Sequence, residues 1–273
     1  TDENDGSTDN GGLTFTFVDG SKLDIVEAGN SYSTHLATVP SASGEQGVTG
    51  TTANSAPTGL TFGNTSDAVG FEWHSAADFA GVEGLKAGIS GGFGDDGDSS
   101  ATSTAESSYS VGLSYTTTTG DTTVTLGGGY MYADDSNGTT LNERANQSAA
   151  SLTAATGDLT VGVGFASGSY VDANSGTSFE VDSAEIMTAG AKYVSGDMTI
   201  AVGYADGTSK DGAIGADGSN GDSYVSIGAS VDYAVISGIT ATIGFSDTDN
   251  SEEGTSATAN SGTAWYIGAN VTF

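Results

Sequence analysis

The basic side chains of this chain are few enough to name. Lys22, Lys86, Arg144, Lys192 and Lys210 are its cations and His35 and His74 its imidazoles, set against 35 Asp and Glu for a formal net charge of −30. Nucleophilic catalysis of the Ser–His–Asp kind needs a His beside a held nucleophile, and neither His stands in a nucleophile-elbow context. With no Cys, thiolate metal sites and disulfides are excluded. Calcium is the metal the carboxylates suit. "GGFGDD", Gly91 to Asp96, matches the first six positions of a calcium-binding repeat, but Asp98 stands where a large apolar residue belongs and no tandem copy follows. "ADDSNGTTLNER" misses the EF-hand pattern at Ala133 and at Arg144. The expectation is therefore no cofactor, or at most calcium held weakly on loops by Asp95, Asp96 and Asp98, or by Asp247 and Asp249 with Glu252 and Glu253. So acidic a surface also repels nucleic acid, which is bound through Lys and Arg.

Opposed charges at a spacing of two are the other chemical signal. Lys22 is followed by Asp24, and Glu72 by His74, with Lys86 on a third stretch. In a strand, residues two apart share a face. Acids and bases gathered on one face across a narrow, partly desolvated passage would set a transverse field and bias the passage of ions. That chemistry needs strands whose charged face looks into a lumen.

The pattern of the chain supplies such strands. In "SYVSIGASVDY", Val225, Ile227, Ala229, Val231 and Tyr233 fall on one parity and Ser226, Gly228, Ser230 and Asp232 on the other. "SYSVGLSY" and "DLTVGVGF" repeat the scheme. Thirteen such segments are predicted, at 13–18, 22–28, 68–75, 82–91, 107–116, 121–132, 148–155, 158–166, 184–194, 197–205, 222–233, 237–246 and 263–273. Short connections (19–21, 76–81, 117–120, 156–157, 195–196 and 234–237) alternate with long ones (29–67, 92–106, 133–147, 167–183, 206–221 and 247–262). Most carboxylates fall in the long connections, where water can solvate them. No composition break divides residues 1–273, so one domain is expected.

The second face decides between architectures. A soluble β-sandwich shows Lys, Glu, Arg and Thr to water on its outer face. Here the second face is Gly, Ser, Ala and Thr. A closed barrel accounts for this, with its apolar face toward lipid and its small polar face toward a lumen. The expected fold class is all-β, a transmembrane antiparallel up-and-down β-barrel. Tyr109, Tyr115, Tyr130, Tyr132 and Trp265 are placed in its interfacial girdles. On this parity Lys22, Asp24, Glu72, His74, Lys86 and Lys192 point inward.

The last nine residues, "WYIGANVTF", resemble the terminal strand of Gram-negative outer-membrane proteins, with Trp265, Ile267, Ala269, Val271 and Phe273 on one face. In that group this row is the signal read by the barrel-insertion machinery. "SDAVGFEWHSAADFAGVEGLKAGISGG" is similar to a strand–turn–strand of the alphaproteobacterial, Rhodobacter-type general porins, with Phe79, Ala80 and Gly81 at the turn. "GSKLDIVEAGNS", Gly20 to Ser31, resembles that family's strand before its long inward-folded loop, which would here span 30–67. In the family this loop follows the fifth strand; here it follows the second. The resemblance thus implies three strands missing at the N-terminus and sixteen in the complete barrel.

The resemblance also implies an outer-membrane location, a homotrimer embedded in lipid, and a water-filled channel for passive diffusion of ions and small hydrophilic solutes. His35 and Glu45, on the inward loop, join the pore-lining candidates. The loop is poorer in carboxylates than the family's, and the arginine cluster usual opposite it is missing, so its location is carried over but not its charges. With −30 overall, mild cation selectivity is expected. An acidic cell-surface or adhesive β protein without a pore is the alternative reading, and a barrel enzyme a third.

Overall fold

The computed structural model describes residues 12–27, 31–42, 69–93, 107–135, 143–172, 179–213, 220–251 and 259–272. Glu45, Asp95, Asp96, Asp98 and Phe273 lie outside the described residues. Thirteen strands form one sheet in sequence order, each antiparallel to the next. They are β1 (Leu13–Thr16), β2 (Lys22–Glu27), β3 (Val69–His74), β4 (Leu85–Phe93), β5 (Ser107–Thr119), β6 (Thr122–Asp135) and β7 (Glu143–Thr156). Then follow β8 (Leu159–Asp172), β9 (Phe179–Ser195), β10 (Met198–Ala213), β11 (Asn220–Ile236), β12 (Ile239–Ser251) and β13 (Ala259–Val271). A single helical turn, α1 (Ser31–Thr34), follows β2, and a 3-10 turn at Phe79–Gly81 joins β3 to β4.

Every predicted segment is a strand, but most run further than the hydrophobic alternation reaches. β7 begins at Glu143 rather than at 148, and β10 continues to Ala213. Hydrophobic alternation marks only the part of a strand with one apolar face, whereas backbone ladder pairing does not depend on side-chain type and continues beyond it. Two placements change accordingly. Asp247 and Asp249, expected in a loop, sit on β12 opposite Thr263 and Ser261. Arg144 is on β7, paired with Asp134 and Val171.

The outer parity carries the large apolar side chains and leaves them exposed: Tyr109, Val111, Leu113 and Tyr115 on β5, and Trp265 and Ile267 on β13 at 73% and 79% exposure. Tyr109 and Tyr115 are six residues apart, roughly 20 Å along a strand. That spacing suits aromatic side chains at the two edges of an apolar band. Among the described residues no helix is long and apolar enough to cross a membrane, which says nothing of strands.

Tight turns close one end. Gly120, Gly157, Gly196 and Gly238 take positive φ in the two-residue connections between β5 and β6, β7 and β8, β9 and β10, and β11 and β12. Gly84, between β3 and β4, is stricter. Its φ is 78°, its carbonyl accepts Thr116 N–H at 3.0 Å, and an added Cβ would strike the Thr116 carbonyl. Gly120 also has positive φ (60°), but a Cβ there would meet nothing within 4 Å. Gly120→Ala is expected to cost about 1 kcal/mol, the left-handed penalty alone. Gly84→Ala should cost about 2 kcal/mol or more, since strain and collision add. Urea unfolding of the two variants in detergent micelles reads the difference.

Candidate functional site

The sheet curls around a piece of its own chain. Residues 31–42 touch the inner faces of strands from β3 to β11, which one extended segment can do only if those strands wrap it. α1 opens the segment. A helix leaves its first N–H groups without partners, and the wall provides them here. Ser31 N–H donates to Ser90 Oγ at 3.3 Å and Tyr32 N–H to Ser110 Oγ at 3.1 Å, and the two wall hydroxyls bond each other at 2.6 Å. Further on, Ala37 N–H donates to Ser151 Oγ at 2.6 Å. Ser31, Tyr32, His35, Ala37 and Pro40 are buried in consequence.

The predicted charged residues divide into two groups. Registers Lys22↔His74 and Asp24↔Glu72 between β2 and β3, and His74↔Gly88 and Glu72↔Ser90 between β3 and β4, put them on the face that carries the segment. Lys86 shares that face through Ser114. Lys22 and Lys86 are exposed, and the side chains of Asp24 and His74 are partly so, at 28% and 23%. Lys192, paired with Thr160 and Ala201, is exposed on the same face further round.

Glu72 and His35 differ: both lie inside the sheet but beneath the segment, 5% and 6% exposed. One Glu72 oxygen, Oε1, accepts from Ser31 Oγ and from Thr34 Oγ1, each at 3.1 Å, and lies 3.4 Å from His74 Nε2. Its surroundings are those of an anchor for α1. The His35 ring stands 5.8 Å from that of His74, with Nδ1 at 3.3 Å from Ser114 Oγ and Nε2 buried without a hydrogen-bond partner. Burial, then the nearby His74, push the His35 imidazole below its usual range, against the opposing pull of Glu72.

Nothing in the sequence sets Ser90, Ser110 and Ser151 apart from the other small inward residues. Asp232, on the polar parity but not among the pore-lining candidates, is a further inward charge on β11, where it accepts from Thr242 Oγ1 at 2.6 Å. Asp247 and Asp249 face outward and exposed, with Asp247 accepting from Thr263. Among the described residues no group of three or more His, Asp or Glu is placed to hold a metal ion.

A curled antiparallel meander with an apolar outside, a polar inside and an inward-folded segment after one hairpin defines an outer-membrane channel barrel. The chain belongs to the Gram-negative porins, whose family pattern matches residues 1–253. Its location is the outer membrane. Solved structures agree on the fold. A loop L8 deletion mutant of OmpT, an outer membrane protein of Vibrio cholerae, superposes with a TM-score of 0.56 at 16% identity, over 92% of this chain and 75% of that one. In-vitro folded OmpT of Vibrio cholerae, in trimer form, gives 0.51 at 16%, over 91% and 77%. An anion-selective porin from Comamonas acidovorans gives 0.53 at 10%, over 96% and 77%. No curated protein sequence matches the chain. At these identities the likeness shows the fold alone.

Proposed function

We propose that this porin is a passive, weakly cation-preferring channel for ions and small hydrophilic solutes, acting without cofactor or catalysis. The observation that carries the proposal is the segment 31–42, clasped to the inner wall by Ser90, Ser110, Ser151 and Glu72 beside the exposed charges of Lys22 and Lys86. A segment so held narrows the lumen without closing it. Around it the inward charges are mixed: Lys22, Lys86 and Lys192 against Asp24 and Asp232. The preference for cations then comes mainly from the net charge of −30, which concentrates cations near the mouth.

In a planar bilayer under a salt gradient, the reversal potential is expected on the cation side and should shrink as salt rises and screens the mouth. An anion-side potential would refute the selectivity, and absence of stepwise conductance would refute the channel and favour a surface protein without a pore. The reading includes a homotrimer in lipid and an insertion signal made of the outward row Trp265, Ile267, Ala269 and Val271 together with Phe273, outside the described residues. Native gels before and after boiling test the trimer.

A further inference from the structure

Glycine in a strand weakens it, because it packs nothing and loses more freedom on folding. The inner face of this sheet nonetheless carries glycine on strand after strand. Gly88 (β4), Gly112 (β5), Gly129 (β6), Gly190 (β9), Gly203 (β10) and Gly228 (β11) follow the path of the inward segment in order. A Cβ on Gly88 would stand 2.8 Å from Ser31 Oγ, and one on Gly112 would collide with the Ser31 carbonyl. On Gly129 it would stand 2.6 Å from the Tyr32 carbonyl oxygen, and on Gly190 it would collide with the Pro40 carbonyl. The end of the track is looser: 3.1 Å from Gly203 to Ser41 Cα and 3.2 Å from Gly228 to Ala42 Cβ. Contacts under 3.0 Å force something to move, and at Gly112, Gly129 and Gly190 the partner is backbone, which yields least.

We propose that these glycines form a seat that fixes how far the segment stands off the wall, and so gauges the width of the channel. They are positioning residues, acting through the segment they carry. The proposal rests on the channel reading above. The wall alternates two devices, serine hydroxyls that clasp the segment's N–H groups and glycines that let its backbone lie flat. A methyl group on the seat must lift the segment toward the lumen, since the strand behind it is held on both sides by the ladder.

β6 contains its own control. Gly127 and Gly129 face the segment, while Gly128 between them faces outward, where a Cβ would meet only the Ala149 carbonyl oxygen at 3.5 Å, an ordinary contact. Single-channel conductance of the full protein in planar bilayers tests the proposal. Gly128→Ala should conduct like the wild type. Gly129→Ala and Gly112→Ala should each fall by about 1.5-fold or more, with a smaller solute cut-off, while keeping the wild-type shift on boiling. Equal conductance in all three overturns the gauge.

If the tight variants do not fold, a cross-link decides. A Cβ on Gly203 would stand 3.4 Å from Ser41 Cβ, at the lower edge of disulfide geometry. The chain has no Cys to compete. Ser41→Cys with Gly203→Cys should therefore oxidise in the folded barrel and pin the segment to the wall, with conductance at or slightly below the wild-type level because the added Cβ stands 3.1 Å from Ser41 Cα. Failure to cross-link, or a conductance above the wild type's once linked, overturns the seat. A double-cysteine protein that cross-links, with neither it nor the wild type conducting, would fault the channel reading and leave the seat standing.

Discussion

Glu72→Ala is expected to release the inward segment from its wall while the strands stay paired. The carboxylate is buried, and its Oε1 holds two hydroxyls of α1, Ser31 and Thr34. Hydrogen bonds to a charged partner contribute about 1.5–3 kcal/mol each, and removing the shared acceptor leaves the buried Ser31 hydroxyl unmet, while the exposed Thr34 can turn to water. The loss for docking is therefore about 2–4 kcal/mol, a roughly 30- to 1,000-fold larger undocked population. Hydrogen exchange of the Tyr32 and Ala37 amides reads this, since both donate to wall serines only when the segment is docked. They should exchange faster in Glu72→Ala by that factor, while ladder amides of β4 and β5 keep their protection. Glu72→Gln retains an acceptor oxygen without the charge and should fall between the two. In a bilayer the alanine variant should flicker between current levels. Unchanged exchange at Tyr32 would show that the serine clasps suffice without Glu72.

The strands were legible because lipid outside and water inside impose opposite demands on neighbouring residues, and the alternation records both. Parity alone placed Lys22, Asp24, His74 and Lys86 on the inner face. It did not foretell that Glu72 and His35 lie covered, because parity states which way a side chain points and not what rests against it. The inward segment 31–42 is mostly Ser, Thr and Ala, with no Asp, Glu, Lys or Arg, a composition without a chemical signature of its own. Its small residues let the backbone lie against the serines and glycines of the wall, and the bulkier His35 ring rests where Gly88 and Gly112 leave room for it. The interior glycines were visible in the sequence too, but their meaning depends on a segment far away in the chain. The strand ends escaped for a different reason: ladder pairing continues where the hydrophobic signal has stopped.

Acid should loosen the same segment. The docked His35 imidazole is held below the ordinary value of about 6.5. Burial is the largest cause, His74 adds repulsion, Glu72 opposes, and Lys86 pushes weakly with His74. Asp24 and Lys22 complete the charged groups of β2 on this face, and Ser114 on β5 approaches the ring through Nδ1. Undocked, His35 would titrate in water near its ordinary value. The docked state therefore binds fewer protons, so docking is unaffected well above pH 6.5 and weakens as pH falls through that value. One group can contribute at most about 1.4 kcal/mol per pH unit, and only between its two pKa values. From pH 7.5 to 5.5 the expected loss is on the order of 1 kcal/mol, about a fivefold faster exchange of the Tyr32 and Ala37 amides after correction for intrinsic rates. His35→Gln should abolish that dependence. His74→Gln should keep most of it, because burial is the leading cause. Docking that tightens in acid, or a pH response that survives His35→Gln intact, would show that another group carries the proton.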